Sequence, residues 1–273
     1  MSLLESVICG IIQGLAEFLP ISSSGHLAIA HALFNMSDPE GNLTFDLLLH
    51  LGTLIVVFMF YYKEIFSLVP AFFTMLKKVF CGKLCLKDWT KNERFVLLLI
   101  IATLPLAFAL FFKDRVEMLS AYPKVVGGIL IFNGFVLLFA DYMAKRVNKR
   151  ELSPLGAFGV GIFQLAATLP GLSRSGSTIS GGLLFGLERE DAVKFSFIMS
   201  VPAILGANIL NIPDAFSAPV ASGELGLYLI GMAVAMISGF CAMKFLIYIS
   251  RKSKFGFFAY YCMAAGLLTV IFG

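Results

Sequence analysis

Charge is scarce in this chain. Asp, Glu, Lys and Arg make up 14% of its 273 residues, against about 25% in soluble globular domains. That deficit, with 59% hydrophobic residues and 28 Phe, excludes a water-soluble fold and leaves an integral membrane protein. Histidine is limited to three residues and tryptophan to one, so each is worth placing individually. The five cysteines form no metal or disulfide framework: Cys81 and Cys85 stand four apart in a basic loop without further Cys or His beside them, and Cys9, Cys241 and Cys262 lie in apolar stretches as small packing residues. There is no low-complexity tract, long linker or polar domain, and the first apolar run lacks the basic start of a signal peptide. Nothing implies nucleic acid as a partner; Lys and Arg lie where they suit anionic membrane lipids.

Crossing a hydrocarbon core of about 30 Å takes roughly 20 apolar residues. Six stretches meet this, near 43–62, 95–112, 122–144, 194–211, 225–249 and 255–272. Residues 64–80 are also apolar, but Pro70 and the flanking Lys63, Lys77 and Lys78 predict a helix lying in the interface. Two further apolar regions are interrupted, 2–36 by Pro20 and Ser22-Ser23-Ser24-Gly25, and 155–187 by Pro170-Gly-Leu-Ser-Arg-Ser-Gly-Ser-Thr178. Each half is too short to cross. Irregular backbone at membrane depth must be buried in protein or face a wet cavity, which predicts two re-entrant helical hairpins.

Charge placement agrees with that topology. With both regions re-entering, loops at 63–94, 145–151, 188–194 and 251–254 share one side and carry sixteen Lys or Arg, while the other side has Lys113, Arg115 and Lys124. The basic side is expected to be cytoplasmic. The acidic loop at 212–224 and both termini then lie outside.

The chain also resembles itself. Gly10-Ile-Ile-Gln13 followed by Pro20, Ser22, Ser24 and Gly25 parallels Gly161-Ile-Phe-Gln164 followed by Pro170, Ser173, Ser175 and Gly176. The expected fold is therefore an all-α polytopic membrane protein, a single membrane domain over 1–273, with repeat one at about 1–144 and repeat two at about 152–273. Three spans and one hairpin per repeat invert the second relative to the first, so the site is expected where the hairpin tips meet.

Arg174 is the main functional clue. A guanidinium near bilayer depth costs roughly 2.5 to 3.5 kcal/mol on the gentlest scale, so a chain retains it where there is an anion to meet. Gly171, Gly176, Ser173, Ser175 and Thr178 surround it with small residues, hydroxyls and backbone N–H groups that suit a phosphate, and a half-helix starting there adds its dipole. The first hairpin offers Gln13, Glu17, Ser22, Ser23 and His26. Four-residue spacing puts Gln13 and Glu17 on one helix face. A buried Glu17 needs Arg174, a divalent cation, or both. Asp46 and His50, four apart, suit the same cavity or a helix–helix hydrogen bond; His31 reads as structural or interfacial, and Trp89 as an interface anchor.

The stretch QGLAEFLPISSSGH at 13–26, PGLSRSGST at 170–178 and FDLLLHLGT at 45–53 together resemble the undecaprenyl-pyrophosphate phosphatases, also called bacitracin-resistance phosphatases, over essentially the whole chain. The resemblance implies hydrolysis of undecaprenyl pyrophosphate, a polyprenyl diphosphate lipid, with a required divalent cation, Mg²⁺ or Ca²⁺, at a site on the outer side of the bacterial cytoplasmic membrane. It implies catalysis by Glu17, Ser23, His26 and Arg174, metal binding by Glu17, and phosphate binding by Gln13, Ser22, Ser173, Arg174, Ser175, Gly176 and Thr178. Gln13 stands where the pattern also allows Glu, which leaves Glu17 as the only carboxylate of that pair. Three attacking groups remain open, with the first expected: Ser23 with His26 as base, His26 itself, or metal-activated water. The competing function is transport of a lipid phosphate or small anion through the same architecture. The glycine-rich stretch 226–239 suits a homodimer interface or internal contact equally.

Overall fold

A computed structural model describes residues 1–34, 39–82, 88–217, 224–252 and 255–273. The expected loop segments at 83–87, 218–223 and 253–254, and with them Cys85, lie outside these residues. The described residues are helical apart from short connections: α1 Leu3–Phe18, α2 Ser23–Leu33, α3 Pro39–Phe80, α4 Lys91–Thr103, α5 Lys113–Ser120, α6 Pro123–Met143, α7 Pro154–Ala166, α8 Arg174–Leu184, α9 Arg189–Ser217, α10 Glu224–Arg251 and α11 Gly256–Phe272. Among the described residues five segments are long and apolar enough to cross a membrane, Leu43–Phe80, Lys91–Phe112, Pro123–Met143, Arg189–Leu210 and Glu224–Arg251. The protein is a multi-pass membrane protein. The sixth expected span coincides with α11, a shorter apolar helix of 17 residues.

Residues 64–80 form a helical arm separate from that of 43–62, set off by a kink at Tyr61 (φ −121°, ψ 21°) inside α3. The 38 residues Leu43–Phe80 would measure about 57 Å if straight, far beyond one bilayer crossing, so the kink redirects the distal arm. That arm folds against α4: Trp89 is buried with Ala71, Met75 and Val96, and Lys78 Nζ meets Glu93 Oε2 at 2.7 Å. Trp89 is thus a packing residue beneath α3. One departure from expectation is the 3₁₀ segment Leu104–Phe112 that follows α4, where Pro105 cannot donate the backbone N–H that an α-helix needs.

The interruptions at 19–22 and 167–173 separate α1 from α2 and α7 from α8, and the two members of each pair pack on one another. Serine starts both second helices: Ser22 Oγ accepts from Gly25 N at 3.3 Å, and Ser173 Oγ accepts from Gly176 N at 3.1 Å. Helix contacts are set by small residues. A Cβ on Gly10 of α1 would lie 2.5 Å from Gly231 O of α10, and one on Gly127 of α6 would lie 2.8 Å from Gly266 O of α11. Gly231 and Gly239 therefore serve internal contact with the first hairpin and the start of α3, their own would-be Cβ atoms meeting Phe45 and Phe18.

Ion pairs gather the basic segments at one end. Lys194 meets Glu64 at 3.1 Å, Arg251 meets Glu190 at 3.2 Å and Arg189 meets Asp141 at 2.6 Å. A cleft of about 610 Å³ joins Lys91 and Arg94 to Lys149, Arg150 and Lys194. Elsewhere the N-terminal ammonium meets Glu224 at 2.8 Å, bringing the start of the chain to the start of α10.

Candidate active site

The two interruptions meet inside the bundle. Ser175 Oγ donates to Leu19 O at 3.3 Å, and a Cβ on Gly25 would lie 3.1 Å from Gly171 Cα. Gly171 itself has φ +98°, in the left-handed region, and a Cβ there would sit 2.5 Å from Val126 O. Only glycine fits. Asn133, fully buried on α6, joins both tips: its Nδ2 donates to Pro20 O at 3.1 Å and its Oδ1 accepts from Ser173 N at 3.2 Å. Cys262 Sγ lies 3.3 Å from the same Nδ2.

Glu17 is the centre of the polar cluster. One carboxylate oxygen, Oε1, receives the Arg174 guanidinium across 157 residues of sequence. The other, Oε2, accepts from Ser23 Oγ at 2.8 Å and Gln13 Nε2 at 3.2 Å. His50 Nε2 is 3.8 Å from Oε2. The Glu17 side chain is 6% exposed, whereas Arg174 is 20% and His50 31% exposed. The carboxylate is buried while Arg174 and His50 beside it are partly exposed. Two half-helices, α2 and α8, begin beside it, and their N-termini favour negative charge there.

His26 turns elsewhere. Its Nδ1 lies 2.7 Å from Ser22 O and its Nε2 2.9 Å from Tyr261 OH, with the two rings stacked at 5.7 Å. A carbonyl only accepts, so Nδ1 carries the ring proton and Nε2 accepts from the tyrosine hydroxyl. Ser23 thus hydrogen bonds to Glu17, and not to His26. This departs from the expected Ser23–His26 pair. The physical reason is that Ser22 O, one turn before His26, captures Nδ1 locally.

The hydroxyls expected around a phosphate are buried and partnered. Ser173 Oγ caps α8 and lies 3.2 Å from Ser175 Oγ, and Thr178 Oγ1 donates to Arg174 O at 2.8 Å and lies 2.6 Å from Ser196 Oγ. Ser22 Oγ likewise caps α2, and Ser22 itself holds φ +73°. In this arrangement Arg174 and Ser23 are the accessible polar members, while Gly176, Ser173, Ser175 and Thr178 shape the turn that presents them. Asp46 pairs with His31 at 3.5 Å. Asn133, Tyr261 and Ser196 are members that the motifs do not reveal. A lone Asn within the span 122–144 is the single signal among them.

The donor set fits a hard divalent cation. Gln13 Nε2 is bound to the carboxylate, which leaves Gln13 Oε1 buried with no hydrogen-bond partner among the described residues. An orphaned amide oxygen beside a carboxylate suits Mg²⁺ or Ca²⁺, which take oxygen ligands. Among the described residues, no three His, Cys, Asp or Glu side chains cluster closely enough to hold an ion alone. Glu17 and Gln13 alone would leave most coordination positions open, among them ones for water or substrate oxygens.

An all-helical, multi-pass membrane protein with its charge and hydroxyl chemistry gathered at the junction of two interrupted helices is the class these observations define. Comparison with known proteins narrows it: residues 6–268 match the family described as bacitracin resistance protein BacA, and the chain belongs to that family. A protein from Rhodopirellula baltica named undecaprenyl-diphosphatase is 39% identical, with 98% of this chain and 97% of the relative aligned. Proteins of the same name from Alkaliphilus metalliredigens and Methanosphaera stadtmanae are 37% and 35% identical, the alignments covering 100% and 99% of this chain and 99% and 98% of theirs.

Proposed function

We infer that this protein is a membrane phosphatase that hydrolyses undecaprenyl diphosphate to undecaprenyl phosphate and inorganic phosphate, returning the lipid carrier to cell-wall synthesis. The observation that carries this reading is the convergence of the Ser23 hydroxyl and the Arg174 guanidinium on one buried carboxylate, in a chain whose near full-length relatives bear the name of that activity.

Phosphoryl transfer asks a protein mainly for positioning and for stabilisation of charge. Here Arg174 has two uses. Without substrate it neutralises Glu17. A terminal phosphate entering the site competes for the guanidinium, a bidentate partner for phosphate oxygens, and in taking it leaves Glu17 able to accept a proton. Ser23 Oγ, already aligned on Glu17, attacks the terminal phosphorus and passes its proton to Oε2. The Oγ–P bond forms, the bond from phosphorus to the bridging oxygen breaks, and undecaprenyl phosphate leaves with the electron pair. Water then hydrolyses the phosphoserine, restoring Ser23 and releasing phosphate. His26, fixed between Ser22 and Tyr261, orients the start of α2. A divalent cation, Mg²⁺ or Ca²⁺, held through Glu17 and Gln13, supplies charge neutralisation of the diphosphate when bound.

Transport is not favoured. A carrier of the same anion would use Arg174 and the helix N-termini, but would gain nothing from a hydroxyl aligned on a carboxylate. The finer architecture we propose is six spans with two re-entrant hairpins, arranged as an inverted repeat over 1–144 and 152–273, in the bacterial cytoplasmic membrane with the site opening outward. Reciprocal contacts support this: α1 packs on α10 and its counterpart α7 packs on α4, while α3 meets α9 and α6 meets α11. The shared end of the basic segments supports a cytoplasmic face.

The test is phosphate release from undecaprenyl diphosphate by detergent-purified protein, with and without chelator. Release is expected to require a cation and to fall at least about 100-fold in Arg174→Ala and Glu17→Ala. No release from well-folded wild type would overturn the reading.

A further inference from the structure

We propose that His50 is a ligand of the divalent cation, contributing through Nε2 the donor that a neutral Gln13 supplies only weakly. The inference rests on the phosphatase reading above and assigns one more residue to that site.

The ring is held as a metal-binding imidazole is held. His50 Nδ1 lies 2.8 Å from Asp46 O, one turn earlier on α3. That carbonyl can only accept, so the proton sits on Nδ1 and the lone pair on Nε2. Ligating histidines commonly donate their other N–H in this way, which fixes ring orientation and tautomer. Nε2 then stands 3.8 Å from Glu17 Oε2, too far for a hydrogen bond. Two donors each about 2.0–2.2 Å from one ion lie roughly 3–4 Å apart, so the separation suits a shared cation. Gln13, a third residue bonded to the same carboxylate oxygen, keeps its own Oε1 buried and unpartnered. His50 is also partly exposed, at 31%.

Neither of the other two histidines has this arrangement. His26 Nε2 is taken by Tyr261 OH, and His31 Nε2 faces Asp46. One imidazole, one carboxylate and one amide oxygen make an incomplete set, which leaves positions for phosphate oxygens as a catalytic site requires. The mixed nitrogen and oxygen donors also set a preference. Mg²⁺ and Ca²⁺ favour oxygen alone, whereas Mn²⁺, Co²⁺ and Zn²⁺ accept imidazole readily. The site should therefore bind Mn²⁺ more tightly than Mg²⁺.

The experiment loads the purified full-length protein with Mn²⁺ alone, measures the Kd by electron paramagnetic resonance, and looks for nitrogen hyperfine coupling in the pulsed spectrum. Wild type should show a ¹⁴N coupling that becomes a ¹⁵N coupling when histidine alone is ¹⁵N-labelled, a control that needs no mutation. His50→Gln, checked for an unchanged melting profile, should lose the coupling and raise the Mn²⁺ Kd about tenfold or more. His26→Gln should keep the coupling. A coupling that survives His50→Gln, or no histidine coupling in Mn²⁺-loaded wild type, would overturn the assignment. Phosphate release in the same preparations separates the two readings: cation-dependent turnover without histidine coupling removes His50 alone, whereas chelator-insensitive turnover removes the cation as well.

Discussion

Ser23 and Tyr261 divide the chemistry from its scaffolding. Ser23→Ala removes the group that attacks phosphorus, and phosphate release should fall at least about 100-fold. Tyr261→Phe keeps the ring on His26 and removes one hydroxyl, so turnover should drop less than about fivefold; initial rates on the two variants check both. If Tyr261→Phe were as damaging as Ser23→Ala, His26 would have to be moving the proton after all. Asn133 carries a different load. Asn133→Ala strips partners from Pro20 O and Ser173 N. An unsatisfied buried polar group costs about 1–3 kcal/mol, although single hydrogen bonds within membrane proteins average nearer 0.6 kcal/mol. Thermal unfolding in detergent should show a loss of about 2 kcal/mol. Glu17 and Arg174 were legible in sequence because charge inside an apolar run demands a reason. Asn133 and Tyr261 were not, since a lone polar residue on a span serves helix packing as readily as function.

The helices are locked by absent side chains. Gly10→Ala would drive a methyl to 2.5 Å from Gly231 O and separate α1 from α10, whereas nothing lies within 4 Å of a Cβ on Gly128 or Gly206. Gly10→Ala should therefore lower the melting temperature by several degrees, and Gly128→Ala should be neutral or stabilising by up to about 1 kcal/mol. Differential scanning fluorimetry on the two glycine variants checks this contrast. The two interruptions were readable because Pro, Gly and Ser runs break an apolar pattern. The break near Tyr61 was readable from Lys63 between two apolar runs, although residues 61–64 carry no Pro or Gly; the packing of the distal arm on Trp89 and Glu93 was not. The capping role of the buried serines Ser22 and Ser173 is likewise invisible in sequence. Ser173 and Ser175 look the same in sequence whether they hold a phosphate or close a turn.

Topology is the property that the whole molecule displays. With the basic segments joined at one end, an impermeant thiol reagent applied to intact cells should label Tyr122→Cys and spare Arg150→Cys, in a background with the native cysteines replaced. Labelling of both would contradict the proposed orientation. Composition already settled the membrane class, because so little charge cannot coat a soluble surface of this size. The Glu17–Arg174 contact has a consequence for how activity arises at all. Its two charges are contributed by opposite halves of the polypeptide, so a ribosome that has released only the first half into the membrane has delivered a nucleophile without its anion receptor. Cutting the gene within the 145–152 connector should yield two inert fragments that regain hydrolysis only when made together. Newly inserted chains stay harmless to lipid intermediates until their synthesis is nearly finished.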